Sequence, residues 1–428
     1  RVLFRSVAEI NDLCHDVHVA MVIGANVIVS PAAQAQSAYI TVGDDAWQLL
    51  QRLPEARAQV LSARELAVPV PRTRGAAALT TARETVRAVR MDAAAVPALT
   101  HTVHEELRRC GGYLQHDSMA EALAVLHRLG RTPAQTARAP SYAIDDPELV
   151  EAMLPQLQAS HLMATIEQLA AFQNRIYNTS HGVAASDWLA AQWSQLAAGH
   201  RGVSVRQLRH RGWPQKSVRL RIRGSEPGAE VLVMGAHLDS IAAGASEQTR
   251  APGADDDASG VAALTEVIRV LLANDFRPRR TIEFIAYAAE EVGLRGSQDI
   301  AAFYARRGKP VVGVLQLDMT AYQGDPTDLW LYTDYTDAAQ NGFLAALAAS
   351  YLPSLSVGYD RCGYGCSDHA AWHLQGFAAS FPFEASNRNY NPFIHTAQDT
   401  TAVFGQQASH ALKFTQLALA WAVELGSD

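Results

Sequence analysis

No run in this 428-residue sequence reaches the roughly 18 to 20 apolar residues of a membrane span, so no transmembrane helix is expected. Basic tracts are also missing. The 36 Lys and Arg are outnumbered by 43 Asp and Glu, the formal net charge is −7, and there is no basic stripe, so nucleic acid is not an expected partner. Cysteine is scarce: Cys14, Cys110, Cys362 and Cys366 are all there is. The last two form a close pair, Cys362-Gly-Tyr-Gly-Cys366, but a zinc ribbon would need a second such pair. The pair reads as a small disulfide loop or as two free thiols, and export of the chain would favour the disulfide. Internal repeats and low-complexity tracts are absent as well.

What is present is ample apolar material. Hydrophobic residues make up 48% of the chain, enough for a large core, and the length suggests two or three domains. The texture divides the chain into residues 1–37, 38–146 and 147–428. The first stretch resembles a leader. Residues 19–29 (VAMVIGANVIV) have the length of a signal-peptide apolar region, and Ala33-Gln34-Ala35 follows as a small-x-small cleavage motif. The start is not strongly basic, since Arg1 and Arg5 are balanced by Asp12 and Asp16, and a short buried strand or helix is the other reading of residues 19–29. A signal peptide would imply a secreted, extracellular protein, soluble and expected to be a monomer.

From Ala38 to about Pro140 the chain is rich in Ala and Arg and has no dense group of metal-type ligands. It opens on a strand-like stretch, 38–42, and helical segments follow near 45–53 and 119–129. Residues 130–147 carry three Pro and read as a linker. Beyond Glu148 the pattern becomes α/β. Helices are expected near 161–177, 186–198, 259–272 and 406–425. Residues 217–222 alternate as a half-buried strand, and 231–235 is a short apolar run suited to a central strand. Further such runs lie at 281–286, 311–317 and 378–383. Alternating strands and helices predict an α/β fold: a mixed, mostly parallel central sheet covered by helices on both faces, with a small N-terminal α+β unit.

Several of these apolar runs end in acids or histidines. Residues 231–236 lead into His237-Leu238-Asp239, 281–289 into Glu290-Glu291, and 311–317 into Asp318. A buried strand tolerates such groups at its end only if they are paired or bind a metal. In open α/β sheets, ligands gather beyond the carboxyl ends of strands. Singly each feature is ordinary. A lone His is usually structural, Asp255-Asp256-Asp257 could be a turn with acids at the start of the following helix, and His395 could be a loop residue. Their occurrence in order after strand-like runs points to one shared site.

Five segments make a resemblance plain: Gly235-Ala-His-Leu-Asp-Ser240, Ala251-Pro-Gly-Ala-Asp-Asp-Asp-Ala-Ser-Gly260, Ala286-Tyr-Ala-Ala-Glu-Glu-Val-Gly-Leu-Arg-Gly-Ser297, Leu315-Gln-Leu-Asp-Met319 and Ile394-His-Thr396. Together they resemble the bacterial secreted leucyl aminopeptidases, which are cocatalytic di-zinc exopeptidases. The likeness runs from about Pro147 to the C-terminus. Residues 38–146 would then stand where the family has a prosegment, which would make the chain a zymogen.

By this resemblance two zinc ions are implied. Asp256 bridges them, His237 and Asp318 complete one shell, and Glu291 and His395 complete the other. Imidazole and carboxylate are normal zinc donors, and an incomplete shell leaves room for water and substrate. Glu290 is implied as the general base acting on a metal-bound water; adjacent residues on an extended chain point opposite ways, so one Glu can bind metal while its neighbour does not. Asp239 is implied to accept the second ring N–H of His237. Asp257 is implied to shape the turn at Asp256, with a cis bond between the two. Tyr364, inside the Cys362/Cys366 loop, is implied to stabilise the oxyanion. Met319, Phe383, Tyr390 and Ile394 resemble the apolar pocket for the first substrate side chain. The implied partners are peptides or proteins with a free N-terminus, preferably Leu or another apolar residue.

Two other readings compete: a different metal exopeptidase or a single-zinc glutaminyl cyclase of similar fold, and a degenerate relative kept as a binding module. Metal analysis beside a Leu-anilide assay separates them. Two ions per chain and chelator-sensitive release of the anilide are expected; one ion, or no release, would favour a competitor.

Overall fold

The computed structural model describes residues 19–23, 26–30, 36–71, 79–107, 112–129, 142–226, 228 and 230–427. Within the leader-like stretch, β1 (Val19–Ile23) and β2 (Asn26–Ser30) pair antiparallel. The Ala33-Gln34-Ala35 motif, Cys14, Cys110 and residues 130–141 of the expected linker lie outside the described residues. Among the described residues no helix is long and apolar enough to cross a membrane.

The N-terminal unit is built from β3 (Ser37–Val42), α1 (Asp44–Leu50), β4 (Gln59–Pro71), β5 (Leu79–Asp92), α2 (Val96–Thr102), β6 (Tyr113–His116) and α3 (Met119–Arg128). Its four strands form an antiparallel sheet in the order β4-β5-β3-β6. The expected strand at 38–42 and helices near 45–53 and 119–129 are all there. The long β4–β5 hairpin is not legible from composition, because its strands mix Ala, Arg and Glu, which favour helices, with Val and Thr, which favour strands. One face of the sheet buries Ile40, Val89 and Met91 against Leu49, Leu50 and Leu99 of the helices. The other buries Val86, Ala88 and Leu114 against Val125 and Leu126, and draws in Leu294, Ala370 and Leu374 from the C-terminal unit.

The C-terminal unit opens with α4 (Pro147–Met153), α5 (Ala159–Ala171) and α6 (Ser180–Ala197). The expected helix at 161–177 stops at Ala171, because the chain after it is tied elsewhere: the Arg175 N–H donates to Ser240 Oγ at 3.0 Å. Helix α6 starts six residues before the expected 186, where Thr179 caps it by accepting the Gly182 N–H at 3.0 Å.

The central sheet uses β7 (Val203–Leu208), β8 (Ser217–Ile222), β9 (Val231–His237), β10 (Thr281–Tyr287), β11 (Val311–Gln316) and the short β14 (Ala379–Ser380), in the order β14-β11-β9-β10-β8-β7. The first four in that order are parallel, while β8 and β7 add antiparallel. Every residue of β9, β10 and β11 is buried, as expected for strands covered on both sides. Alternation sends Leu232, Met234, Ile282 and Phe284 to one face, against α5, α6, α7 (Ala258–Ala273) and α11 (Ser409–Ser427). Val231, Val233, Ile285 and Tyr287 face the other side, against α8 (Arg295–Arg306) and α10 (His369–His373).

A second, three-stranded sheet joins β12 (Leu329–Tyr332) to β13 (Val357–Asp360) and β15 (Pro382–Phe383), with α9 (Ala338–Tyr351) between β12 and β13 in the chain. The apolar run at 378–383 is therefore divided between two sheets. Phe284 sits mid-strand in the main core and is fully buried. Phe284→Ala should cost about 3–5 kcal/mol of stability, read as a lower urea midpoint of the C-terminal unit. An unchanged midpoint would contradict this account of the core.

Candidate metal centre

Three adjacent parallel strands deliver the expected residues to one edge of the sheet. His237 is the last residue of β9, directly opposite Tyr287 of β10. Two residues beyond Tyr287 the chain turns at Ala289, φ 59°, and presents Glu290 and Glu291. Strand β11 ends at Gln316, two residues before Asp318. Asp256 comes from the segment before α7, with a cis bond to Asp257. Met319 and His395 both hold positive φ, 55° and 56°, a conformation that costs roughly 1–3 kcal/mol for residues other than glycine and clusters at functional sites.

These side chains meet. His237 Nε2 lies 2.9 Å from Asp256 Oδ1 and 3.5 Å from Asp318 Oδ1. His395 Nε2 lies 3.0 Å from Asp256 Oδ2 and 3.0 Å from Glu291 Oε2. Each carboxylate oxygen of Asp256 thus faces a different imidazole. All five residues are buried, and Glu290 is buried beside them. Both oxygens of Glu290 and Glu291, Oδ1 of Asp318 and both ring nitrogens of His395 make no hydrogen bond among the described residues, although His395 Nε2 has two carboxylate oxygens at 3.0 Å. Donor atoms this close and this poorly bonded to one another are aimed at shared points between them. Nitrogen and oxygen donors in that arrangement fit a transition-metal dication.

The protonation states are distorted accordingly. Burial opposes charge on His395, but Glu291 and Asp256 override it and lift the ring to about 10. His237 is also raised despite burial, chiefly by Asp318 and Glu290. Burial pushes Glu291 up to about 7, helped by Asp256. Burial likewise holds Glu290 well above the ordinary carboxylate range, against the pull of His237. Asp256 alone goes the other way: burial would raise it, but the two imidazoles hold it low.

The supporting residues take defined places. The Asp239 carboxylate accepts the N–H groups of Glu290 at 3.0 Å and Glu291 at 3.2 Å. The expected bond from His237 Nδ1 is made to the main-chain carbonyl of Asp239 at 3.1 Å, with the carboxylate at 3.7 Å. Asp257 accepts from the N–H groups of His237, Gly260 and Met319, which commits its oxygens to shaping the turn and capping α7. Cys362 and Cys366 are joined in a disulfide. Tyr364 lies within that loop and lines a cavity of about 20 Å³ together with Asp318, Met319, Phe383, Tyr390 and Ile394. The four pocket residues read from the sequence therefore share one apolar wall, joined by Tyr332 and Phe381.

Other members were not legible. Arg175 is completely buried and donates to the carbonyls of Leu238 at 2.8 Å, Gly253 at 2.9 Å and also Pro252. It binds together the loops that carry His237, Asp239 and Asp256, yet it falls in a stretch that reads as plain helix. Asp399 accepts the N–H groups of Asp255 and Asp256 at 3.2 and 3.1 Å. Ser367 Oγ donates to Asp318 Oδ2 at 2.6 Å. No local pattern marks either. His104, from the N-terminal unit, packs against His395 with ring centroids 3.9 Å apart and the rings tilted, and burial lowers its pKa well below the ordinary histidine value.

Asp239→Asn keeps the shape but can offer only one oxygen to the two N–H groups of Glu290 and Glu291. Metal affinity should fall about 10–100-fold, read by competition with a chromogenic chelator. Unaltered affinity would show that Asp239 does not hold the Glu290–Glu291 turn.

Known proteins place these observations in a family. The profile of peptidase family M28 matches residues 217–420. A Saccharomyces cerevisiae protein named "Probable aminopeptidase" is 33% identical over 292 residues, 66% of this chain and 77% of the relative. An Arthroderma benhamiae "Probable leucine aminopeptidase" is 32% identical over 340 residues, 77% of this chain and 92% of the relative. Among solved structures, the LapA aminopeptidase of Legionella pneumophila superposes with a TM-score of 0.74 at 29% identity, over 92% of this chain and 99% of its own. LapB of the same organism gives 0.75 at 28%, over 92% and 100%. The likeness thus extends to fungal enzymes and is not confined to bacterial ones. This chain belongs to peptidase family M28 and is a hydrolase of its metallo-aminopeptidase kind.

Proposed function

We propose that the chain is a two-zinc exopeptidase that removes Leu or another apolar residue from the N-terminus of peptides and proteins. The observation that carries this reading is the Asp256 carboxylate, with one oxygen 2.9 Å from His237 and the other 3.0 Å from His395. A carboxylate facing two separate imidazoles is suited to bridging two ions. His237, Asp256 and Asp318 would hold one zinc, and Asp256, Glu291 and His395 the other. Zinc bound there would polarise the scissile carbonyl and acidify a water.

The remaining work falls to this chain's own groups. Glu290 is buried, is unbonded through its carboxylate, and is held by its N–H on Asp239. It would take a proton from the attacking water and return it to the departing amine. Tyr364, beside Asp318 in the cavity wall, would donate to the oxyanion. Its loop is stapled by the Cys362–Cys366 disulfide, which also fits a chain that functions in an oxidising, extracellular setting. Met319, Phe383, Tyr390 and Ile394 would receive the first side chain, so apolar residues should be preferred over charged ones. The carboxylates around the centre would attract the free α-amine. Residues 38–146 would form a removable prosegment, and the chain would be secreted as a monomeric zymogen.

Glu290→Gln tests the assignment. Both zincs should stay bound while kcat on Leu-anilide falls about 10²–10⁴-fold. Normal turnover in that variant would remove Glu290 from the mechanism.

A further inference from the structure

His104 has no part in the ligand set derived above, and it comes from the other structural unit. It lies on one π-helical turn, Val103–Leu107, directly after α2. Its ring lies 3.9 Å from that of His395, tilted by 31°. One donor atom from each of His104, Glu291 and His395 falls within 4.8 Å of the other two. The residue is buried, and its Nε2 has no hydrogen-bond partner among the described residues. Other buried histidines, among them His369 and His410, also leave one ring nitrogen unpaired among the described residues, so it is the approach to Glu291 and His395 that marks His104.

The position of His104 is firmly set. Thr100 of α2 is bonded to the Tyr113 hydroxyl of β6 at 2.5 Å. Strand β6 is in turn tied to the loop that carries Glu291. The Gln115 N–H donates to the Gly293 carbonyl at 3.2 Å, and Gln298 Nε2 donates to the carbonyls of both Gln115 and Gly293. Gly293 has φ +99°, and a Cβ there would sit 2.8 Å from the Gln115 nitrogen. The approach between the two units is therefore built on a residue that has no side chain. Leu294 continues the contact into the apolar cluster formed with Leu114 and Leu126.

We propose that His104 is a further protein ligand for the cation held by Asp256, Glu291 and His395, and that the N-terminal unit thereby closes the position needed by the substrate's amino group. The inference rests on the two-metal and prosegment readings above, and it names the group through which a prosegment would act. Three protein donors leave a zinc with an open position, as catalytic sites require, while a fourth makes the closed shell of a structural site. The apolar cavity beside Asp318 measures about 20 Å³ in the full chain, whereas His104 and His395 also line a cavity of about 600 Å³ with Tyr177, Ile241 and Arg295, so the block would lie at the metal and not over the whole cleft. Removing residues 38–146 would withdraw the fourth donor.

The test uses the full chain loaded with cobalt, in wild-type, His104→Gln and His104→Ala forms, with exposed His101→Gln as control. Cobalt content, the visible absorption spectrum and binding of L-leucine are measured. Wild type and both His104 variants should take up two cobalt ions. The His104 variants should show an altered visible band and bind leucine about tenfold or more tightly, while His101→Gln matches wild type. Zinc X-ray absorption of the unaltered chain needs no variant and should count three imidazoles over the pair. Two imidazoles, or His104 variants with wild-type spectra and leucine affinity, would overturn the role of His104 and leave the two-metal reading intact. A wild-type chain that takes up no cobalt would overturn both.

Discussion

The site depends on placing one carboxylate, that of Asp256, between two imidazoles that come from distant parts of the chain. His237 arrives at the end of a central strand, His395 from a loop with positive φ, and Asp256 from the segment leading into a helix. Their convergence brings Asp239, Glu290, Glu291 and Asp318 into the same buried volume. So many acids out of water are tolerated only if positive charge and N–H donors compensate them. The raised values of His237 and His395 show how strongly the pocket demands that charge. A pair of dications would meet the same demand.

Compensation away from the centre comes from the main chain and from one buried cation. Asp239, Asp257 and Asp399 each accept two or more backbone N–H groups. Arg175 answers with donors to the carbonyls of Leu238, Pro252, Gly253 and Asp256 in the loops that carry the candidate ligands. These contacts fix the turn that carries Glu290 and Glu291 through its main chain, which leaves the Glu290 carboxylate without a hydrogen bond among the described residues. The N-terminal unit leans on the same frame through Gly293 and brings His104 to the side of His395. The candidate site and the unit set against it thus share one set of anchors.

Sequence reading succeeded where a single local rule decides. Apolar runs such as 231–235 and 311–317 became central strands, as short runs rich in Val and Leu do when both faces of the sheet are covered. Acids and histidines placed after such runs have one destination, the carboxyl edge of the sheet. Helix limits were less legible: α5 ends early because Arg175 is recruited elsewhere, and α6 starts early at a Thr179 cap. The β4–β5 hairpin was missed because its Ala, Arg and Glu carry helical propensity, while pairing with β3 and burial against α1 to α3 and the C-terminal unit decide its conformation.

The sequence by itself determined the α/β alternation, the side chains able to hold metal, the aromatic and apolar set around the cavity, and the close cysteine pair. These follow from residue type and short spacing, which a linear pattern preserves. Only the tertiary structure decided that Asp239 grips two N–H groups, that Arg175 clamps the loops beside His237 and Asp256, and that His104 of one unit packs against His395 of the other. Those partners lie tens to hundreds of residues apart, and nothing in local propensity or periodicity encodes which distant groups meet once the core has formed.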